Sequence, residues 1–228
     1  MTRYERKFIL TLEDYEVIKE RAFFMGAIDP HAKKENRYPV FTRYYDSEQK
    51  EFFTQKIEGE FSHLKIRERV YATCWQKGAG RFLEAKIKTR DEQKKIRIPY
   101  DEQKGYTSSP YFNYFQNILS KKNLSLTCNI YYEREAYLIP TLWGEVKINF
   151  DHHICALLPS ELIMTKKLLS KRCLDEGRHI LMEIKHRNNQ LPEVITAMLK
   201  RLDTKMVSFS KYAWGLEYLE NLEENNNL

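Results

Sequence analysis

Charged residues recur at alternate positions in several short segments of the chain. Residues 65–69 read Lys-Ile-Arg-Glu-Arg, and residues 84–88 read Glu-Ala-Lys-Ile-Lys. Because the side chains of a β-strand point alternately to opposite faces, each segment would place most of its charges on one face of a sheet. Such a face could bind phosphate oxygens through its cations and a divalent metal through its few acids.

The alternating segments together predict one strongly basic face. Its candidate cations are Lys7, Lys65, Arg67, Arg69, Lys86, Lys88, Lys95, Arg97, Arg134, Lys147 and Lys185. Its candidate acids are Glu5, Glu84, Asp151 and Glu183. For a single strand, a solvated sheet surface is the ordinary explanation. Like charges on neighbouring strands repel, so the whole set favours a closed barrel with its cations inside, occupied by a polyphosphate.

Composition limits the class of protein and of partner. The chain has 228 residues, 42% of them hydrophobic, with a net charge of +6 and a pI of about 9.0. These values are typical of a domain with a substantial core and a polyanionic partner. The charged start and the absence of a long apolar run predict a cytoplasmic protein without a membrane segment. Its four widely spaced cysteines include no C-x-x-C pair and are expected to be small, reduced apolar residues.

Element signals predict an α+β domain. A helix is expected after Thr11, whose side chain would cap it. Residues 40–100 are expected to form a meander of antiparallel strands, one of them at 51–57. No composition break marks a linker, so residues 1–222 are predicted to form a single domain, with a frayed polar tail at 223–228.

The order and spacing of the charged motifs resemble those of the VTC domain, the polyphosphate polymerase domain of the vacuolar transporter chaperone family. The motifs are Glu5-x-Lys7, Lys65-x-Arg67-x-Arg69, Glu84-x-Lys86-x-Lys88, Tyr132-x-Arg134, Lys147-x-Asn149-x-Asp151, Glu183-x-Lys185 and Ser210-Lys211-Tyr212. The resemblance extends over about residues 3–215 and implies an eight-stranded antiparallel β tunnel, the triphosphate tunnel fold, flanked by helices. The related CYTH enzymes begin with Glu-x-Glu-x-Lys. Here Arg3 stands at the first Glu position, which favours the polymerase branch.

The resemblance also implies an activity and roles for residues. The implied enzyme transfers the γ-phosphoryl group of ATP to a growing polyphosphate chain and depends on Mn²⁺ or Mg²⁺. The residues implied in catalysis, through phosphate oxygens, are Lys65, Arg67, Arg69, Lys86, Lys88, Arg134 and Lys147. Those implied in substrate binding are Lys7, Arg97, Lys185, Ser210 and Lys211. The implied metal ligands are Glu183 first, then Glu5, Glu84 and Asp151.

Two other functions use the same charge pattern. A metal-dependent triphosphatase or nucleoside triphosphatase on the same fold would need the same residues, with water as the acceptor. A non-catalytic binder of polyphosphate or RNA would need the cations but not the acids. Nucleic acid is less favoured, because an RNA-binding surface would interleave exposed aromatic residues with basic ones. The pattern is compatible with a separate membrane partner and gives no indication of oligomeric state.

Overall fold

A computed structural model describes residues 4–30, 36–75, 80–90, 93–101, 103–107, 109–200, 202 and 204–226, so Arg3 lies outside the described part. The strands are β1 (Tyr4–Leu10), β2 (Ala27–Ile28), β3 (Arg37–Asp46), β4 (His63–Val70), β5 (Phe82–Lys88), β6 (Gln93–Pro99), β7 (Ser125–Ile139), β8 (Val146–Leu157) and β9 (Ile180–His186). The helices are α1 (Leu12–Met25), α2 (Glu51–Ile57), α3 (Phe112–Lys121), α4 (Lys166–Arg172), α5 (Glu193–Leu199) and α6 (Lys211–Asn226), with a 3-10 turn at Leu174–Gly177.

The chain divides into two compact units. Unit 1 comprises Met1–Pro39, Tyr132–Ile154 and Cys173–Phe209, and unit 2 comprises Val40–Tyr131, Cys155–Arg172 and Ser210–Leu228. The strands β3, β7 and β8 have residues in both units. The predicted boundary of a single domain at residue 222 stays a prediction, and α6 continues to Asn226, into the stretch predicted as a tail.

Unit 1 is an antiparallel sheet covered by helices on one face. Its strand order is β1-β9-β8-β7, with β2 also paired to β7. Every second side chain, such as Phe8, Ile148 and Met182, packs in one apolar cluster with Ile18 of α1 and Ile195 of α5. Since strand side chains alternate, the charged residues of β1, β8 and β9 lie on the opposite face.

Unit 2 follows the same plan. Its strand order is β7-β3-β4-β5-β6. Ile66, Ala85 and Ile96 pack in one cluster with Phe52 of α2 and Phe115 of α3. The intervening residues of β4, β5 and β6 carry their charges on the opposite face. The antiparallel α+β architecture with flanking helices is therefore as predicted, although the strands of each unit form an open sheet and neither unit is a closed barrel by itself.

The prediction of a strand at 51–57 is wrong, because this segment forms α2. The carboxylate of Asp46 accepts hydrogen bonds from the backbone amides of Phe52 and Phe53, both at 3.0 Å. The hydroxyl of Ser47 accepts another from the amide of Glu51 at 3.1 Å. These acceptors satisfy amides at the start of α2 that would otherwise have no partner, and so favour the helix.

Two further expectations were tested by the structure. The capping role of Thr11 is confirmed, because its hydroxyl accepts a hydrogen bond from the amide of Asp14 at 3.2 Å. The expectation of reduced cysteines holds for Cys74 and Cys128, which are free, and is wrong for Cys155 and for Cys173, neither of which is a free thiol. Widely spaced cysteines in a sequence carry no pairing information.

Among the described residues, no helix combines the length and apolar character that a membrane crossing requires.

Candidate functional site: two charged sheet faces

The charged face of β4, β5 and β6 in unit 2 carries two rows of charge across the strands. Lys65, Lys86 and Lys95 are direct partners in the antiparallel register, so three lysines form the first row. The second row, one step along, is Arg67, Glu84 and Arg97. Like charges placed directly opposite each other destabilise a sheet, so the lysine row costs folding free energy unless an anion compensates it.

Glu84 is the centre of this face. Its carboxylate, with the residue only 1% exposed, lies 2.8 Å from Nε of Arg67 and 2.7 Å from Nζ of Lys95. Arg97 and Arg69 follow at 3.3 and 3.9 Å. Burial opposes ionisation, but the charges of Arg67, Arg69 and Lys95 hold the pKa of Glu84 well below its usual range. One carboxylate thus neutralises one of four cations, and the face remains strongly positive.

Neighbouring groups fix the positions of these cations. Nη1 of Arg67 donates to the hydroxyl of Tyr44 at 3.2 Å, and Nε of Arg69 donates to Thr42 at 3.2 Å. Nζ of Lys65 donates to the hydroxyl of Ser210 at 2.9 Å. Side chains held in this way lose little conformational freedom when an anion binds.

The charged face of unit 1 mixes both signs of charge. Glu5 is the register partner of Lys185, and Lys7 is the partner of Glu183. Oε2 of Glu183 lies 2.9 Å from Nζ of Lys185 and 3.2 Å from Nη2 of Arg134. Nζ of Lys7 lies 3.8 Å from the other oxygen of Glu183. This arrangement can bind an anion through its lysines and a cation through its carboxylates.

Arg134 and Asp151 form a fixed pair on the same face of unit 1. The two carboxylate oxygens of Asp151 accept from Nε and Nη2 of Arg134 at 2.6 and 2.7 Å. Both residues are buried. Charge-assisted bonds of this bidentate kind orient a guanidinium strongly, so Arg134 is held in place before any ligand arrives.

Comparison with known protein families decides the assignment. The model of the VTC domain matches residues 2–220, nearly the whole chain. The chain belongs to the VTC domain family. A comparison with curated proteins finds no significant match.

Solved structures show the same fold as this VTC domain. One is HpAC1 from Hippeastrum, described as a candidate adenylyl cyclase with a dominant triphosphatase activity. It has a TM-score of 0.56 at 11% identity, over 94% of this chain and 95% of that one. A candidate adenylate cyclase from Bacillus halodurans has a TM-score of 0.51 at 11% identity, over 92% of this chain and 96% of that one.

The four predicted metal ligands differ in how well they suit a divalent cation. Glu84 and Asp151 suit it poorly, because nearby cations engage both oxygens of each carboxylate. Glu5 suits it better, since its partner Lys7 has a flexible ammonium group that can move away. Glu183 also contacts Lys7 and Lys185, but its Oε2 lies 3.2 Å from the guanidinium of Arg134, so a metal at Glu183 would compete with that contact. Across the described part of the chain, no three His, Cys, Asp or Glu residues converge as a metal site. Mg²⁺ needs no such cage, because one or two carboxylates plus substrate phosphates commonly hold it.

The structure places most of the sequence-predicted site residues on these two faces. Those on the face of unit 2 are Lys65, Arg67, Arg69, Glu84, Lys86, Lys88 and Arg97, with Ser210 in contact through Lys65. Those on the face of unit 1 are Glu5, Lys7, Arg134, Lys147, Asp151, Glu183 and Lys185. Lys211 is buried in the first turn of α6.

Sequence reasoning missed the carboxylate that pairs with Lys147. Nζ of Lys147 forms an ion pair with Asp29, which is buried and follows β2. Asp29 lies in a segment whose composition predicts a polar loop and whose charges do not alternate, so the surrounding sequence did not indicate that it pairs with Lys147. Tyr44 and Thr42 were also missed as supports of the arginines, because neutral hydroxyls give no charge pattern.

Replacing Glu84 by Gln should destabilise this VTC domain by about 3 kcal/mol, since four cations would lose their shared buried counter-ion. Urea unfolding measures this change in the free energy of unfolding. Glu51→Gln is the matched control: Glu51 pairs with Lys122 at 2.7 Å, but both side chains are 39% exposed, so we expect a loss below about 1 kcal/mol. Inorganic tripolyphosphate should restore more stability to Glu84→Gln than to the parent. Equal stabilities of the two variants would contradict this role of Glu84.

Binding of tripolyphosphate should weaken as the pH rises above about 8. Burial and the charge of Arg134 lower the pKa of Lys185 to about 8, although Glu183 and Glu5 oppose the shift. Lys147, its register partner on β8, adds a further cation. Above this pKa the anion must bind together with a proton, so affinity should fall by up to about tenfold per pH unit for each such lysine.

Lys185→Arg provides the control for this pH dependence, because a guanidinium keeps its charge throughout. Its calorimetric affinity for tripolyphosphate should vary less between pH 7 and 9.5 than that of the parent. Without ligand the sign reverses: the unfolded chain binds this proton up to the ordinary lysine pKa of 10.5, so the Lys185 contribution to stability should rise from pH 8 to 10.5. Identical affinity profiles for parent and variant would refute the assignment.

Proposed function

We propose that this VTC domain is a polyphosphate polymerase that transfers the γ-phosphoryl group of ATP to a growing polyphosphate chain. The observation that carries the proposal is the row of Lys65, Lys86 and Lys95 on three neighbouring strands. This row suits a ligand with several negative charges, and membership of the VTC domain family supports phosphate chains as that ligand. Arg67 and Arg97 extend the cationic face by a second row.

The cations of unit 2 would bind phosphate oxygens. Lys65, Arg67, Arg69, Lys86 and Lys88 offer ammonium and guanidinium donors of the kind that bind phosphate most strongly. Their contacts with Glu84 and with neutral hydroxyls hold several of them in position. Donors already oriented toward developing negative charge stabilise a transition state without reorganisation.

The residues of unit 1 would divide between phosphate and metal. Arg134, Lys147 and Lys185 would bind phosphate oxygens, with Lys7 in the same role. Glu183 and Glu5 would hold Mn²⁺ or Mg²⁺, which would neutralise charge on the phosphate oxygens. Because Asp151 fixes the guanidinium of Arg134, this arginine would meet its phosphate in one defined orientation.

The proposed reaction needs no covalent protein intermediate. A terminal oxygen of the polyphosphate chain attacks the γ-phosphorus of ATP, and the bond to the β-phosphate oxygen breaks. ADP leaves, and the chain is longer by one phosphate. Phosphoryl transfer of this kind depends mainly on alignment of the reacting groups and on neutralisation of charge. The cationic side chains would do both by binding the phosphate oxygens.

A triphosphatase is the second candidate, and the fold shared with HpAC1, described as having a dominant triphosphatase activity, favours it. Water would replace the chain end as the attacking group, and the cations would keep their roles. A cytoplasmic location and a separate membrane partner for the product stay predictions.

A product assay tests the proposed polymerase. The purified protein is incubated with ATP and Mn²⁺ or Mg²⁺, and the products are resolved on a gel that detects long polyphosphate. We expect a ladder of long chains together with ADP. Orthophosphate alone, released from ATP or tripolyphosphate, would establish the triphosphatase instead. Tight binding of polyphosphate without turnover would leave a binding module.

Replacing Glu183 by Gln should abolish metal-dependent turnover while tripolyphosphate binding survives, because the substitution removes a metal ligand and keeps every cation. Calorimetry and the product assay measure the two effects separately. Glu133→Gln is a matched control: Glu133 is on β7 in the same unit, and its carboxylate contacts His153 at 3.3 Å on the face opposite Arg134. Unchanged turnover in Glu183→Gln would refute the metal role.

A further inference from the structure

Asn149 occupies an unusual position on the charged face of unit 1. It lies on β8 between Lys147 and Asp151, and its register partner on β9 is Glu183. Its neighbours Ile148 and Phe150 point into the apolar cluster, so Asn149 points to the charged face. The residue is nevertheless 0% exposed. A neutral amide is therefore enclosed among charged side chains.

Both polar atoms of the Asn149 amide lack a hydrogen-bond partner among the described residues. An unpaired buried amide is costly, and buried amides in folded proteins nearly always find partners. Asn129, which is equally buried in unit 2, differs because only its Oδ1 lacks a partner. Its Nδ2 donates to the backbone carbonyls of Leu158 and Glu161, both at 2.9 Å. Asn149 thus has an unpaired donor, Nδ2, and an unpaired acceptor, Oδ1, that a ligand could satisfy.

We propose that Asn149 is a further ligand-binding residue of this VTC domain, contacting a phosphate group and the hydrated divalent cation that accompanies it. The inference rests on the proposed phosphate chemistry of the same face. Phosphate oxygens only accept hydrogen bonds, and Nδ2 of Asn149 can donate two. Water bound to a divalent cation donates, and Oδ1 accepts.

The neutral charge of the amide matters at this position. Lys147 and Lys185 are register partners of each other, two residues along the strands from Asn149 and Glu183, and attract phosphate, whereas Glu183 attracts the metal. A carboxylate at position 149 would repel phosphate, and a lysine would repel the metal. An amide serves both partners, because it offers a donor and an acceptor without adding charge.

Asn149→Leu tests the proposal, since leucine has the same branching at Cγ and no polar atoms. We expect it to be at least as resistant to thermal unfolding as the parent without ligand, because two unpaired polar atoms are removed. Its affinity for inorganic tripolyphosphate with Mg²⁺, measured by calorimetry, should fall by about tenfold or more. Asn129→Leu is the matched control, with lower thermal stability and unchanged affinity of the folded protein.

Asn149→Asp separates the two contacts. It keeps the acceptor and adds a negative charge, so binding of Mn²⁺ alone should be retained or strengthened, while binding of tripolyphosphate without metal should weaken. Parent-like affinities in both Asn149 variants would overturn the role of Asn149 while leaving the proposed function intact. A parent protein that binds neither tripolyphosphate nor Mn²⁺ would overturn both.

Discussion

Repulsion between like charges on neighbouring strands is the constraint on which the structure of unit 2 depends. The backbone positions of Lys65, Lys86 and Lys95 could move apart only if the strands slid past each other. A slip of one residue would turn Ile66 and Ala85 out of the apolar cluster and into water. Burial of the opposite face therefore holds the cations together against their repulsion, and the hydrophobic core maintains a surface that is prepared for an anion.

The face of unit 1 follows a different charge logic. Its register places Glu5 opposite Lys185 and Lys7 opposite Glu183, so that opposite charges meet across the strands. Such pairs support the register that the core also selects. The result is a face on which Glu5 and Glu183 have lysine partners, whereas the carboxylate of Glu84 in unit 2 is contacted by three arginines and one lysine. Both faces thus arise from charged residues at alternate strand positions, but the face of unit 1 carries both signs of charge and the face of unit 2 carries mainly cations.

The sequence predicted which residues share a face but not how they meet. Period-two alternation placed Lys65 and Glu84 on charged faces, and a cap signal correctly marked Thr11. The sequence pattern could not predict the register that aligns three lysines, because register depends on contacts between strands that are distant in sequence. The segment 51–57 was misassigned because apolar and polar residues in a short run suit both a strand and a helix. The decisive partner was Asp46, whose buried carboxylate caps α2 and also accepts from Tyr212 at 2.6 Å.

The carboxylates that neutralise cations here also act as resident competitors of any incoming anion. Asp29 forms an ion pair with Lys147 in unit 1, and Glu84 forms one with Arg67 in unit 2. An ion with one charge, such as chloride, competes poorly for these cations, because the carboxylate is covalently tethered nearby and has no translational freedom to lose on binding. A chain of phosphates can engage several cations in one binding event. The internal acids therefore set a valence threshold, which would leave the lysines insensitive to ordinary salt anions and responsive to long polyanions.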